Sequence, residues 1–242
     1  MAAALLEIAG VSKHFGGFTA LDGVSIAIAS GERFGLIGPN GSGKTTLINC
    51  IAGSLRNDAG RIVFDGQDVS RVPAYQRTRR GIARSFQIPR PFHSMPVLEN
   101  LLVPLEYVAH RGPLHKADTR AEAMEILRGM GLAEKAGTAA NQLSQVELRK
   151  LELARAMAAR PRLLISDEAM AGLAPNEVNE VLEILMKLNQ AGITIIMIEN
   201  IMHAVMRFSQ RMVCLDAGRI ICEGAPGDIV ANPDVQRAYL GA

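Results

Sequence analysis

GPNGSGKT, residues 38 to 45, decides how this chain is read. The apolar run Phe34 to Ile37 leads into it and TLINCIA, residues 46 to 52, leads out, so a strand delivers the loop and a helix leaves it. Gly, four residues, Gly, Lys, Ser/Thr in that setting carries a mechanism. The glycines omit Cβ atoms, so successive backbone N–H groups turn inward and, backed by the positive end of the following helix, form a cradle for phosphate oxygens. Lys44 then reaches the outer phosphates. Thr45 offers a hydroxyl to Mg²⁺, a hard cation that prefers oxygen ligands. The alternative, a glycine-rich turn that merely carries a lysine, leaves all four fixed positions and both flanking elements unexplained.

Composition sets the outer bounds. With 242 residues, 48% of them hydrophobic, the chain fits one elaborated α/β domain. Twenty-six basic residues stand against 24 acidic ones, a balance without the clustered basic surface that a nucleic-acid partner needs. Cys50, Cys214 and Cys222 lack metal or redox spacing and read as buried free thiols in a reducing compartment. The opening MAAALLEIAG has no charged leader, and no later run approaches the ~20 apolar residues that span a bilayer. The expectation is a cytosolic chain, or one held at a membrane by other proteins.

Taken in order, LLEIAGVSKHF and VSIAIAS alternate as half-buried strands, and Ser30-Gly31-Glu32 is a turn before the strand that delivers the loop. Phe15, in KHFGG, is placed either to stack on a base or to pack. RIVFDGQDV reads as a hairpin turning at Asp65-Gly66. From Gly81 the chain becomes rich in proline and short apolar patches, then helical from about Asp118 to Gly131. Arg77, Arg79, Arg80, Arg84 and Arg90 share no helical or strand period and read as a solvated face. His110 and His115 have no ligand spacing. Ser144 with Glu147 three residues on is a capping box at the start of a helix striped by Leu148, Leu151, Ala154, Met157 and Ala158.

Arg162 to Ser166 is a short strand ending in Asp167-Glu168. Paired carboxylates at the carboxyl end of a buried parallel strand lie where open α/β sheets bind ligands. Asp167 is placed to hold the Mg²⁺ shell, and Glu168, pointing the other way, to orient or deprotonate the attacking water. Pro175 begins a helix with Val178, Val181, Leu182, Leu185 and Leu188 on one face and Gly192 as its stop. ITIIMIE is a continuous apolar run that suits a central parallel strand, with Glu199 and Asn200 at its end. MVCLDAGRIICEG reads as a hairpin around Ala217-Gly218, and a short helix ending RAYLGA closes the chain.

The order GPNGSGKT, SFQ, LSQVE, LLISDE, AGLAP and MIEN resembles the ATP-binding subunit of an ABC transporter over essentially the whole chain. FGGFTALDGVS, ARSFQIPRPFHSMPVLENLLV, DEAMAGLAPNE, IMHAVM and NPDVQRAYLG are similar to the subunits that drive branched-chain amino acid importers. The resemblance implies a single ABC ATPase domain: a P-loop, RecA-like α/β core with a parallel sheet, an N-terminal antiparallel β subdomain and a helical subdomain. Residues 1–87 and 159–242 would form the core and residues 88–158 the helical part.

It also implies roles. Phe15 would stack on adenine. Gly38, Pro39, Asn40, Gly41, Ser42, Gly43, Lys44, Thr45 and Thr46 would hold ATP, while Thr45, Gln87 and Asp167 would serve Mg²⁺. Glu168, Lys44, Gln87 and Asn200 would form the catalytic set. Ser144, Gln145, Val146 and Glu147 would meet the ATP of a facing second ATP-binding subunit. The segment after Gln87 would dock on a helix of two membrane permease subunits at the cytoplasmic face of the membrane, supplied by a periplasmic or extracellular solute-binding protein.

Three positions depart from the family pattern. Gln145, Val146 and Glu147 stand where Gly-Gly-Gln is usual, trading backbone freedom for bulk and negative charge near an anion. Asn200 replaces the switch histidine and cannot become cationic, while His203 falls inside the next helix. Ala174 replaces an Asp or Asn of the dimer-contact loop. The expectation is MgATP binding in an asymmetric dimer with reduced turnover in at least one site. Two other readings stay open: a regulatory subunit with impaired hydrolysis, and a soluble ABC ATPase outside transport, disfavoured by the single cassette and the lack of a heptad run. A phosphotransferase to a small molecule stands further off, because it gives Gln87 and the Ser144 segment no purpose. The transported solute is not readable from a subunit that never touches it.

Overall fold

Alternating apolar residues in the first 29 positions fold into two long antiparallel strands, β1 (Ala4–Phe15) and β2 (Phe18–Ala29), in register at Glu7 with Ala27 and Ile8 with Ile26. The computed structural model describes residues 4–86, 88–109 and 116–240. β4 (Ala59–Phe64) and β5 (Gln67–Asp68) form the hairpin at Asp65-Gly66, and β4 pairs with β1 to complete an antiparallel sheet in the order β2-β1-β4-β5.

The second sheet positions the chemistry. Its strands are β3 (Arg33–Ile37), β6 (Ile82–Ser85), β7 (Leu163–Asp167), β8 (Thr194–Ile198), β9 (Arg211–Asp216) and β10 (Arg219–Gly224), ordered β10-β9-β3-β8-β7-β6. Strands β9 to β6 run parallel, and only β10 is antiparallel. All five residues of β8 are buried, as its unbroken apolar run requires of a strand covered on both faces.

Side-chain alternation divides this sheet between two cores. Ile196, Ile198, Leu163, Ile165, Val213 and Leu215 pack toward the antiparallel sheet and α1 (Lys44–Ala52). Ile195, Met197, Leu164, Met212 and Cys214 pack the other way, against the helices. These include α3 (Val97–Pro104), α4 (Lys116–Gly129), α5 (Gln145–Met157), α6 (Pro175–Gln190) and α7 (Met202–Phe208). The tail forms α8 (Pro226–Ala231) and α9 (Pro233–Leu240). His203 lies within α7, as expected. Cys50 and Cys214 are buried free thiols and Cys222 is half-buried.

Two expectations change. Residues 82–85, read only as a proline-flanked irregular stretch, form the edge strand β6 beside β7. The arginines do not form one solvated face. Arg79, Arg80 and Arg90 are exposed, but Arg77, in α2 (Ala74–Arg79), is 1% exposed. Its guanidinium donates to the carbonyls of Cys50 at 2.6 Å and Ile51 at 2.9 Å, closing the carboxyl end of α1, and to those of Val72 and Ser70. Arg84 pairs with Asp167. Both arginines find fixed partners far along the chain, which local periodicity cannot reveal.

Candidate functional site

The loop between β3 and α1 owes its shape to contacts that exclude side chains. At Gly38, with φ 149°, a Cβ would lie 2.1 Å from the Leu215 carbonyl oxygen. At Gly43, with φ 106°, it would lie 2.6 Å from the Ala20 carbonyl oxygen. Only glycine meets both the dihedral and the packing demand. The turn of the β9–β10 hairpin supports the loop from behind, with the Gly218 N–H donating to the Ser42 carbonyl at 2.9 Å. From the tail, Tyr239 Oη accepts the Gly38 N–H at 2.8 Å. Neither support was visible in the local sequence, although the hairpin itself was.

Lys44 is buried and donates through Nζ to the carbonyls of Gly38 at 2.6 Å and Pro39 at 2.9 Å. Burial pushes its ammonium below the ordinary value, against the pull of nearby Glu168 and Asp167. Ser42 Oγ is buried and has no hydrogen-bond partner among the described residues. A cradle of inward backbone, an orphaned hydroxyl and a lysine fit a polyphosphate.

These groups open on a cleft of about 250 Å³ lined by Phe15, Phe18, Ala20, residues 40–46 and Glu168. Phe15 and Phe18 are 50% and 61% exposed at its mouth, and Lys13 Nζ lies 5.4 Å from the centre of the Phe15 ring. Phe18 escaped the sequence reading, which weighed only the aromatic before the glycines. The β1–β2 turn places both rings at one edge.

The acidic pair sits where β7 ends. Glu168 has a left-handed backbone with φ 47°, its N–H donating to the Ile198 carbonyl at 2.8 Å. That turn sends the Glu168 side chain into the cleft while Asp167, 6% exposed, stays within the sheet. Asn200 Nδ2 donates to Glu168 Oε1 at 3.1 Å, so these two candidates meet. Asp167 Oδ2 accepts from Arg84 at 2.6 Å. Thr45 is exposed on the cleft, and Thr45 with Asp167 supplies hard oxygens suited to Mg²⁺. Gln87 lies outside the described residues.

The Ser144 segment is elsewhere: none of Ser144, Gln145, Val146 and Glu147 lines this cleft. Ser144 caps α5, its N–H donating to Glu147 Oε2 at 2.9 Å and its hydroxyl accepting the Glu147 N–H at 3.4 Å. Burial raises the Glu147 carboxyl, but bonds from Lys135 and Ser144 outweigh it and hold the group below the usual range. Gln145 reaches the loop before α6, where its Nε2 would lie 2.9 Å from a Cβ at Gly172.

Similarity to known proteins extends along the whole chain. The ABC transporter family model matches residues 21–171, and a model of the branched-chain amino acid ATP-binding cassette transporter matches residues 219–242. A protein of Pseudomonas aeruginosa described as the high-affinity branched-chain amino acid transport ATP-binding protein BraF is 36% identical over 254 residues, covering 100% of this chain and 99% of its own. The crystal structure of the ADP conformation of an ATP-binding cassette of an ABC transporter matches with TM-score 0.90 at 32% identity, covering 100% of both chains. A dimeric cassette in a post-hydrolysis state, bound to ADP and Pi, matches with TM-score 0.82 at 26% identity over 91% of this chain and 98% of its own. With relatives and fold alike running its whole length, the chain belongs to the ATP-binding subunits of ABC transporters, in the branched-chain amino acid transport family.

Proposed function

We propose that this protein binds MgATP in the cleft above the phosphate loop and hydrolyses it to drive import of a branched-chain or other neutral amino acid. One observation carries the reading: Phe15 and residues 40–46 line a single cleft with Glu168, which lies more than a hundred positions further along the chain. Phe15 stacks on the base, residues 38–46 enclose the phosphates, and Lys44 exchanges its loop carbonyls for phosphate oxygens. Thr45 and Asp167 hold magnesium, which when bound offsets phosphate charge. Glu168, oriented by Asn200, positions the attacking water and draws its proton. Gln87 is assigned to the same site on the family resemblance.

The signature residues Ser144 to Glu147 serve the ATP of a second ATP-binding subunit, an arrangement supported by their absence from this chain's own cleft. Two permeases dock where Phe86, Arg90, Pro104, Val108 and Arg155 line a groove of about 430 Å³, and a solute-binding protein delivers cargo from outside. No helix among the described residues is long and apolar enough to cross a membrane, which suits a peripheral subunit at the cytoplasmic face. Glu168→Gln is expected to keep ATP binding and stop hydrolysis from this site, whereas Lys44→Ala weakens binding itself. Nucleotide binding and phosphate release, measured in the reconstituted transporter, test both. ATP hydrolysis at the wild-type rate by Glu168→Gln would refute the assignment.

Turnover is reduced in at least one site of an asymmetric pair. Asn200 bonds to Glu168 without a cationic state, and Glu147 keeps a negative charge at the α5 N-terminus. Asn200→His combined with a Gly-Gly-Gln replacement of residues 145–147 is expected to raise ATPase activity of the assembled transporter severalfold. An unchanged rate counts against this part alone.

A further inference from the structure

Arg84 stands on the edge strand β6 in register with Ile165, so Asp167, two residues further along β7, lies diagonally across from it on the same face. Its guanidinium makes two short bonds in different directions. Nη2 donates to Asp167 Oδ2 at 2.6 Å, and Nη1 donates to Asn49 Oδ1 at 2.6 Å. Asn49 is four residues beyond Thr45 on α1, and residues so spaced share one face of a helix. The Arg84 side chain is 14% exposed and that of Asp167 9%, so the pair is shielded from water. On its other side the guanidinium lies 5.2 Å from the centre of the Phe86 ring.

We propose that Arg84 is a positioning residue for magnesium, fixing Asp167 and the helix that carries Thr45 at the separation a magnesium-bound triphosphate requires. The planar fork suits the task. It holds one carboxylate oxygen of Asp167 and so fixes the orientation of the whole carboxylate, while the second arm, on Asn49, ties α1 to β7. A lysine, with a single charged nitrogen, cannot span both partners with the same fixed angle. Outer partners of metal-binding carboxylates commonly contribute tenfold to a hundredfold in metal affinity.

The proposal rests on the nucleotide-binding reading above, and one experiment separates the two. Fluorescently labelled ATP is titrated onto the purified full-length protein at stepped free Mg²⁺, comparing wild type, Lys44→Ala, Arg84→Met and Asn49→Ala, with thermal unfolding followed in parallel. Arg84→Met is expected to raise the Mg²⁺ needed for half-maximal enhancement of binding by about 10- to 100-fold, leaving ATP affinity without Mg²⁺ within about threefold of wild type. Asn49→Ala, which leaves no buried charge behind, is expected to shift it in the same direction by less, and decides the matter if Arg84→Met fails to fold. A Mg²⁺ response that is unchanged or tightened in the folded variants overturns the proposal, as does equal loss of ATP with and without Mg²⁺. If wild-type binding itself ignores Mg²⁺, or Lys44→Ala binds like wild type, the nucleotide reading falls with it.

Discussion

Glu199 precedes Asn200 at the end of β8 and is 2% exposed, its carboxylate accepting the Met170 N–H at 2.8 Å. Burial raises its pKa to about 7; the Met170 bond opposes this and the neighbouring Glu168 charge adds to it. Because the folded state holds this proton more tightly than the unfolded chain, its stabilising effect is complete below the ordinary carboxyl pKa and is lost as pH rises through about 7. Glu199→Gln keeps an acceptor for Met170 without the charge. It is expected to be more stable than wild type by roughly 1–3 kcal/mol at pH 8, with the gap closing near pH 4.5. Urea unfolding at several pH values checks this, and parallel pH profiles would disprove it. Lys44 was singled out from the strand-loop-helix spacing and Asp167-Glu168 from their place at a strand end, and the fold puts Lys44 and Glu168 on one cleft. Arg84 was not, since its partner Asp167 lies 83 positions on and only the fold brings the two together, and Phe18 was passed over although it stands three residues from Phe15.

At the scale of elements, α1 is held at both ends. Its N-terminus is the phosphate loop, and its last carbonyls are bound by the buried Arg77, whose Nε would lie 2.7 Å from a Cβ at Gly53. A cation at a helix carboxyl end satisfies orphan carbonyls and opposes the helix dipole. Arg77→Met retains bulk but strands those carbonyls away from water. A loss of about 2–4 kcal/mol is expected. Chemical denaturation of the purified chain measures it, and a loss under ~0.5 kcal/mol would mean that water reaches the helix end. Element legibility followed the same logic. β8 and α6 announce themselves through a buried apolar run and an apolar stripe, whereas the four-residue β6 lies at a sheet edge with one arginine facing inward and offers no period to detect.

Over the whole molecule, one largely parallel sheet separates two cores, and the cleft lies where its parallel strands end against the antiparallel sheet. The tail crosses this plan. It carries a separate family match, and through Tyr239 it touches the loop at Gly38, 201 positions earlier. Tyr239→Phe removes the acceptor and little else. It is expected to weaken ATP binding about three- to tenfold while changing thermal stability by no more than ~1 kcal/mol. Equilibrium binding beside a melting curve separates the two effects, and unaltered affinity would reduce the contact to packing. The apolar run of β8 and the family resemblance allowed a parallel sheet to be anticipated, but nothing near RAYLG in the sequence announces a partner at Gly38.

That long-range contact has a practical side. A hydroxyl on the closing helix rests on the first amide of the nucleotide loop, so the tail works as a handle on the loop. A substitution or probe that displaces α9 is expected to shift the measured ATP dependence along with stability.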